Sequence, residues 1–252
     1  IMITPFCLPI HVEDKNIEFG FEFDSNSPPI NKFLYRLYSK NGKLISKGKF
    51  IKRKFGPLFA EELLDLIKIN TKKDLGALII APNWLDLKLN AIGKGPIGQL
   101  IVRHKKSLDK DITEFQSCWR NNEIMINEFP HWLFPSKMLL GGSKLYCGFT
   151  GLTKSMEIHV SLLNGSGNIN YTKVADVKIS LINYEGKIMQ KTLQLIPFVS
   201  KTIKINSIFK SWREHFQKNY GTVLVTSIDT DVNGNLITTD KNNITLQHMW
   251  GY

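Results

Sequence analysis

The chain has 252 residues, of which 42% are hydrophobic, 11% aromatic and 22% charged. This composition supports one large or two ordinary domains with proper cores and argues against wholesale disorder. The net charge is +11, carried mostly by lysine, and no apolar run approaches the roughly 20 residues of a membrane-spanning helix. We therefore expect a soluble protein whose electrostatic field attracts anionic partners.

The N-terminal residues and the cysteines give little information on location. The opening, IMITPFCLPIHVEDK, has no basic segment followed by an apolar one, so no signal peptide is expected. An Ile precedes the Met, which suggests a chain trimmed from a longer one, and the compartment stays undetermined. Cys7, Cys118 and Cys147 are odd in number and widely spaced, so they predict neither a disulfide framework nor a CxxC metal site.

The first half of the chain predicts short strands with one helix among them. NIEFGFEF (16–23) alternates apolar and polar residues, and KFLYRLY (32–38) is rich in aromatic residues that favour strands. The dipeptide Asn41-Gly42 follows and predicts a tight turn. GPLFAEELLDLIKI (56–69) is the helical candidate, and apolar runs of strand length complete the half.

The second half repeats this pattern. FLYRLYSKNGKLI (33–45) aligns with VKISLINYEGKIM (177–189), which places Gly42 against Gly186. Further segments align in the same order: FCLPIHVEDKNIEFGFEF with YCGFTGLTKSMEIHVSLL, LGALIIAP with YGTVLVTS, GQLIV with GNLIT, and FQSCW with LQHMW. The sequence therefore predicts an all-β protein with one short helix per domain, formed by tandem duplication of immunoglobulin-like antiparallel β-sandwiches.

The repeat sets the expected domain boundaries. The first β-sandwich covers residues 1–120 and the second covers residues 145–252. Residues 121–144 contain proline and glycine residues that break regular structure, together with aromatic residues that would not stay in water. We expect this connector to pack against one or both sandwiches.

Two connections are longer in the first half than in the second, and additional binding residues commonly occur in such loops. The first loop, 83–96, offers a tryptophan and lysines, and the second, which begins at residue 103, offers a basic cluster. The connector offers a histidine next to a tryptophan. The predicted ligand-binding residues are therefore Trp84, Lys88, Lys94, Arg103, His104, Lys105, His131 and Trp132. The alternative for each loop is a solvated surface.

Residues 39–54, SKNGKLISKGKFIKRK, hold seven basic residues and no acidic one. Such a hairpin can bind an acidic glycan, a nucleic acid or an anionic membrane surface. The alternative is an edge hairpin whose lysines prevent edge-to-edge aggregation.

The acidic stretch IDTDVNGNLITTD (228–240) resembles the calcium loop of EF-hand proteins. The resemblance implies Asp229, Asp231 and Asn233 as the first ligands and Asp240 as the last, where glutamate is usual. The flanking segments predict strands, whereas an EF-hand needs helices. The favoured prediction is a hairpin with Asn233-Gly234 as its two-residue turn, and calcium is the one candidate cofactor.

No GxSxG, Walker loop or HExxH pattern occurs, and GKGPIG (93–98), which has GxGxxG spacing, precedes a predicted strand and not the helix that a dinucleotide-binding motif needs, so no catalytic motif is predicted. The leading hypothesis is a non-catalytic binding or assembly module that engages an anionic partner such as an acidic glycan, and a protein partner stays open. Lysine-rich charge with little arginine argues against sequence-specific nucleic-acid recognition. The alternatives are a carbohydrate-active enzyme with a site between the domains near His131 and Trp132, or a structural subunit of a larger surface or viral assembly.

Overall fold

The structure is a computed structural model that describes residues 6–10, 12, 14–23, 32–52, 56–70, 74–82, 98–105, 112–116, 143–149, 152–164, 171–217, 220–228, 230, 232–241 and 243–251. These residues form mainly antiparallel β-strands, as the sequence predicts, together with three short helices. Among the described helices, none has the length and apolar character needed to cross a membrane.

The described part of the first half forms two four-stranded sheets and one helix. In chain order the elements are β1 (Phe6–Pro9), β2 (Ile17–Phe23), β3 (Lys32–Ser39), β4 (Leu44–Ile51), β5 (Leu58–Phe59), α1 (Ala60–Leu66), β6 (Leu75–Pro82), β7 (Gly98–His104) and β8 (Ile112–Gln116). Sheet I has the order β1-β6-β3-β4, and sheet II has the order β5-β2-β7-β8. Every pair of neighbouring strands is antiparallel.

The second half contains β9 (Ser143–Phe149), β10 (Glu157–Asn164), β11 (Ala175–Asn183), β12 (Ile188–Leu195), β13 (Val199–Lys204), α2 (Ile205–Ile208), α3 (Trp212–His215), β14 (Gly221–Ser227), β15 (Val232–Asp240), β16 (Asn243–His248) and β17 (Trp250–Gly251). Sheet III has the order β12-β11-β14-β9-β17, and sheet IV has the order β13-β10-β15-β16. Apart from β17, the two halves therefore show the same strand order. β9 begins inside the expected connector, and most of 121–144 lies outside the described residues.

The core of the first half lies between sheets I and II. Alternate residues of β2, among them Phe19 and Phe21, share a buried cluster with Phe33 of β3 and Leu63 of α1. The rings of Phe21 and Phe33 meet edge to face with centroids 5.7 Å apart. Burying each such side chain stabilises the fold by about 1.5–3 kcal/mol, so the alternation in β2 fixes which face of the strand turns inward.

The core of the second half receives aromatic residues from NSIFKSWREHFQKNYG (206–221), the segment that the sequence predicts as the helix of this half. Phe209, Trp212 and Phe216 are all buried in one cluster with the inward residues of sheets III and IV. The segment forms two short helices, not the single helix predicted, because Phe209 leaves the helical region with φ −128° and ψ 94°. This break ends α2 after four residues and allows α3 to start separately at Trp212.

The turns predicted at Gly42 and Gly186 are present and have the same construction. Ser39 Oγ accepts hydrogen bonds from two backbone N–H groups of the β3–β4 turn, and Asn183 Oδ1 does the same in the β11–β12 turn. Gly42 has φ +72° and Gly186 has φ +78°. Both glycines adopt the left-handed conformation that glycine tolerates best.

The prediction of a turn at Asn233-Gly234 is wrong. β15 runs unbroken through both residues, and Gly234 pairs with Leu162 in the middle of the β10–β15 ladder. The dipeptide favours a turn locally, but β10 pairs with both residues and the Met249 N–H donates to the Gly234 carbonyl from the other side, and these contacts outweigh the preference.

Sheet IV belongs to the second half but contributes residues to the cores of both halves. One of its faces belongs to the core of the second half, whereas Ile237, Ile244 and Leu246 on the opposite face belong to the buried cluster of the first half. β16 packs against β7 and β8, and β13 packs against β6. Tyr38 of β3 also stacks on Phe198, with ring centroids 4.3 Å apart and planes inclined by 7°. The two halves therefore share an extended interface with a hydrophobic centre.

Candidate functional site

Most of the predicted ligand-binding residues lie outside the described residues; these are Trp84, Lys88, Lys94, His131 and Trp132. The three that the structure describes, Arg103, His104 and Lys105, follow one another at the end of β7. The prediction that these residues lie in a connecting loop is wrong for Arg103 and His104, which pair with β2. β7 extends to His104 because Ile17, the first residue of β2, still pairs with it.

Arg103 is held by contacts inside the first half. Its guanidinium donates to Glu18 Oε2 through Nε and Nη2, at 2.8 and 2.6 Å, and lies over the Phe59 ring with 3.8 Å to the centroid. Glu18 is only 4% exposed, and its other oxygen accepts a hydrogen bond from the Glu61 backbone N–H at the start of α1. Lys105 Nζ binds Glu61 Oε1 at 2.7 Å. Both cations are therefore occupied by acidic side chains of the same half.

The described members of the predicted calcium site do not come together. Asn233 and Asp240 lie on the extended strand β15, so about 23 Å of strand separates them. Asp240 Oδ2 instead accepts a hydrogen bond from Thr153 Oγ1 at 3.3 Å. Asp229 and Asp231 lie outside the described residues.

The hairpin β3–β4, which we call the lysine hairpin, forms one edge of sheet I. It presents exposed lysines along its turn and outer strand: Lys40, Lys43, Lys47 and Lys49. Within the described part of the chain, none of these four makes an ion pair. Lys47 and Lys49 are alternate residues of β4, so their side chains leave the same face about 7 Å apart.

The equivalent edge strand of the second half, β12, has a different character. Its outward residues opposite Ser180 and Lys178 are Gln190 and Thr192. The lysine of its turn, Lys187, is bound to Glu185 with an N···O distance of 2.7 Å. Among the described residues, the first edge therefore carries a row of exposed lysines without ion pairs, whereas β12 carries one such lysine, Lys191.

A group of ionisable residues lies where the two halves meet, and we call Asp14, Glu157 and His159 the junction cluster. Glu157 and His159 are alternate residues of β10, and Asp14 belongs to the turn before β2. One ligand atom of each lies within 4.8 Å of the others. Glu157 Oε1 is bound to Lys204 Nζ at 2.6 Å, and His159 is completely buried.

A polar cavity of about 320 Å³ lies beside the junction cluster, on the side of α2 and α3. Its lining residues are Lys154, Ser155, Glu157, Ile158, Lys204, Asn206, Trp212 and Arg213. Arg213 donates hydrogen bonds to the carbonyls of Thr153 and Met156 and stacks on the Trp212 ring, which fixes one wall. Among the described residues that line the cavity, Glu157 is the one carboxylate, and it is bound to Lys204.

Shifted pKa values do not converge on one place among the described residues. Burial lowers the pKa of Lys52 at the end of β4, and the charge of Glu22 opposes this shift. Burial raises the pKa of Cys147 in β9 to about 11. A hydrogen bond to Glu185 raises the pKa of Tyr184 in the β11–β12 turn. These groups occupy different parts of the fold, whereas catalytic sites gather such residues.

Sequence reasoning missed the junction cluster. The available signal was the pattern Glu157-x-His159 within a predicted strand, because alternate residues of a strand share a face. No local pattern points to Asp14, which reaches the cluster only through the packing of one half on the other.

Comparison with protein-family models, with curated proteins and with solved structures found no match to this chain.

Proposed function

We propose that this chain is a non-catalytic binding module that engages an anionic polymer, such as an acidic glycan, through the lysine hairpin. The observation that supports the proposal most directly is the row formed by Lys43, Lys47 and Lys49. All three are exposed, Lys43 in the β3–β4 turn and the other two on the edge strand β4, and they make no ion pair with the described residues. Their charges are therefore available to a partner.

The geometry of this row suits an extended ligand. β4 is the outermost strand of its sheet, so no further strand of sheet I lies beside it among the described residues, and a linear polymer can follow its outer edge. Ile45 and Ile51, which are 42% and 44% exposed, flank the two strand lysines on the same face and offer apolar contact. Lysine carries a compact charge on a flexible side chain, which suits a partner with repeated negative groups. A partner recognised through paired hydrogen bonds would favour the planar guanidinium of arginine.

Electrostatics sets the expected strength. Each lysine near a dense anionic surface contributes about 1 kcal/mol, and salt weakens the attraction because the charges are exposed. Three lysines therefore give a modest, salt-sensitive affinity, which repeated sites along a polymer can increase.

The finer architecture belongs to the same proposal. The repeated strand order and the two similarly built glycine turns support tandem duplication of a β-sandwich. The likeness to immunoglobulin domains is architectural, because β1 and β2 lie in different sheets here, whereas the first two strands of an immunoglobulin constant domain share a sheet. After duplication, the first edge would have kept or acquired the lysines that the second edge lacks.

The test compares two triple variants that remove the same charge. The hairpin variant carries Lys43→Gln, Lys47→Gln and Lys49→Gln. The control variant carries Lys178→Gln, Lys191→Gln and Lys210→Gln, at exposed lysines of the second half. Binding to heparin oligosaccharides is measured by titration calorimetry, and the salt needed for elution is measured on a heparin column.

We expect the hairpin variant to bind at least tenfold more weakly and to elute at lower salt than the control variant. Equal losses in both variants would show that net charge alone drives retention, and an absence of binding by the unmodified chain would contradict the proposal. Aggregation of the hairpin variant with unchanged affinity would instead assign the lysines to protection of the sheet edge.

A further inference from the structure

The junction cluster brings ligand atoms from both halves to one point. Glu157 and His159 project from the face of sheet IV that packs on the first half, since His159 pairs with Ile237, a member of the first core. Asp14 approaches from the turn before β2, and one ligand atom of each residue lies within 4.8 Å of the others. We infer that the cluster binds a divalent first-row transition cation, with Asp14, Glu157 and His159 as its protein ligands.

The separation of Glu157 and His159 suits an ion between them. Glu157 Oε2 and His159 Nε2 are 4.0 Å apart, beyond the roughly 3.2 Å limit of a hydrogen bond. Two ligands that each lie about 2.1 Å from a tetrahedrally coordinated ion are about 3.4 Å apart. Binding an ion therefore requires Glu157 Oε2 to move about 0.6 Å closer to His159 Nε2.

The surrounding contacts hold the carboxylates in place. Lys204 Nζ binds Glu157 Oε1 at 2.6 Å, which leaves Oε2 on the side of His159. Asp14 Oδ1 accepts a hydrogen bond from the Asn16 backbone N–H at 2.9 Å. Partners of this kind orient metal ligands in known sites.

Two carboxylates match the charge of one divalent ion. Asp14 and Glu157 supply two negative charges to such an ion, while Lys204 stays bound to Glu157 Oε1 beside it.

The donor set selects the class of ion. An imidazole nitrogen with two carboxylates suits zinc, cobalt, nickel or iron, whereas calcium and magnesium prefer oxygen ligands alone. Because the ligands come from both halves, the bound ion also connects the turn before β2 to β10. It therefore stabilises the docked arrangement by mass action.

The test uses the full chain with zinc chloride and cobalt chloride as probes. Zinc binding is measured by titration calorimetry, and cobalt coordination is followed by visible absorption. Asp14→Asn and Glu157→Gln remove ligand charge at half-buried side chains while keeping their shape. Glu185→Gln is the control, because it breaks a similar lysine–glutamate pair far from the cluster.

We expect one zinc ion per chain, with an association constant that falls at least tenfold in Asp14→Asn and in Glu157→Gln and is unchanged in Glu185→Gln. The cobalt bands of the unmodified chain should weaken in the same two variants. No stoichiometric zinc binding, binding that both variants leave intact, or equally tight calcium binding would overturn the inference. If the variants fail to fold, the cobalt spectrum of the unmodified chain decides, because an aqueous-ion spectrum contradicts the site.

Discussion

Replacing Gly42 by alanine is expected to weaken the docking of the two halves, whereas the same change at Gly186 is not. The two glycines occupy equivalent turns with nearly equal φ values, +72° and +78°. A Cβ atom at Gly42 would lie 2.1 Å from the Pro197 carbonyl oxygen, which belongs to the second half. At Gly186 a Cβ atom meets no described atom within 4 Å. The difference between the variants therefore isolates the contact between halves.

The magnitudes follow from these contacts. Alanine in the left-handed region costs about 1–2 kcal/mol, and this cost applies to both turns. At Gly42 the clash with a backbone atom adds about 1–3 kcal/mol. If the turn moves away, the neighbouring stack of Tyr38 on Phe198 is also disturbed, at about 0.5–1.5 kcal/mol. We expect Gly42→Ala to lower the free energy of unfolding by about 3–5 kcal/mol and Gly186→Ala by about 1–2 kcal/mol.

The assay is urea denaturation of both variants and of the unmodified chain, followed by circular dichroism. The slopes of the transitions must agree for the midpoints to be compared. Equal destabilisation by the two substitutions would refute the reasoning, because it would show that the Pro197 contact contributes nothing beyond the strain of the turn.

Three further changes probe single interactions. Asn164→Ala should lower the free energy of unfolding by about 2–5 kcal/mol in urea denaturation. The reason is that Asn164 Nδ2 donates to two backbone carbonyls and its Oδ1 accepts from Tyr171. An unchanged urea midpoint would contradict this role. Glu18→Gln should cost about 1.5–3 kcal/mol in the same assay, because the partly exposed Arg103 loses its charged partner, and a loss below about 1 kcal/mol would show that the pair is dispensable. Burial raises the pKa of Cys147 from 9.0 to about 11, so the folded state holds this proton more tightly than the unfolded state. The stability that this group contributes is fully present below pH 9 and is lost as the pH rises towards 11, so the urea midpoint should fall further over this range in the unmodified chain than in Cys147→Ala.

The predictions that succeeded depend on local chemistry. Gly42 and Gly186 mark turns because their left-handed conformation is a property of the residues themselves. The alternation of Phe19 and Phe21 in β2 predicts the buried face, since neighbouring residues of a strand point to opposite sides.

The predictions that failed depend on contacts between distant parts of the chain. Asn233-Gly234 lies inside a strand because β10 pairs with both residues and the Met249 N–H binds the Gly234 carbonyl on the other side. Arg103 turns to the buried carboxylate of Glu18, which nothing near it in the sequence reveals. The junction cluster exists only after sheet IV has packed on the first half, so no pattern within one segment identifies it.

The claim that sheet IV is shared between two cores is tested most directly at two neighbouring residues of β15. Leu236 and Ile237 are both completely buried, but Leu236 belongs to the second core and Ile237 to the first. Each substitution to alanine should cost about 2–5 kcal/mol. In hydrogen-exchange mass spectrometry, Ile237→Ala should accelerate exchange most in β2 and β3, and Leu236→Ala should do so most in β11 and β14. If Ile237→Ala leaves the protection of β2 and β3 unchanged, the two halves do not share this sheet.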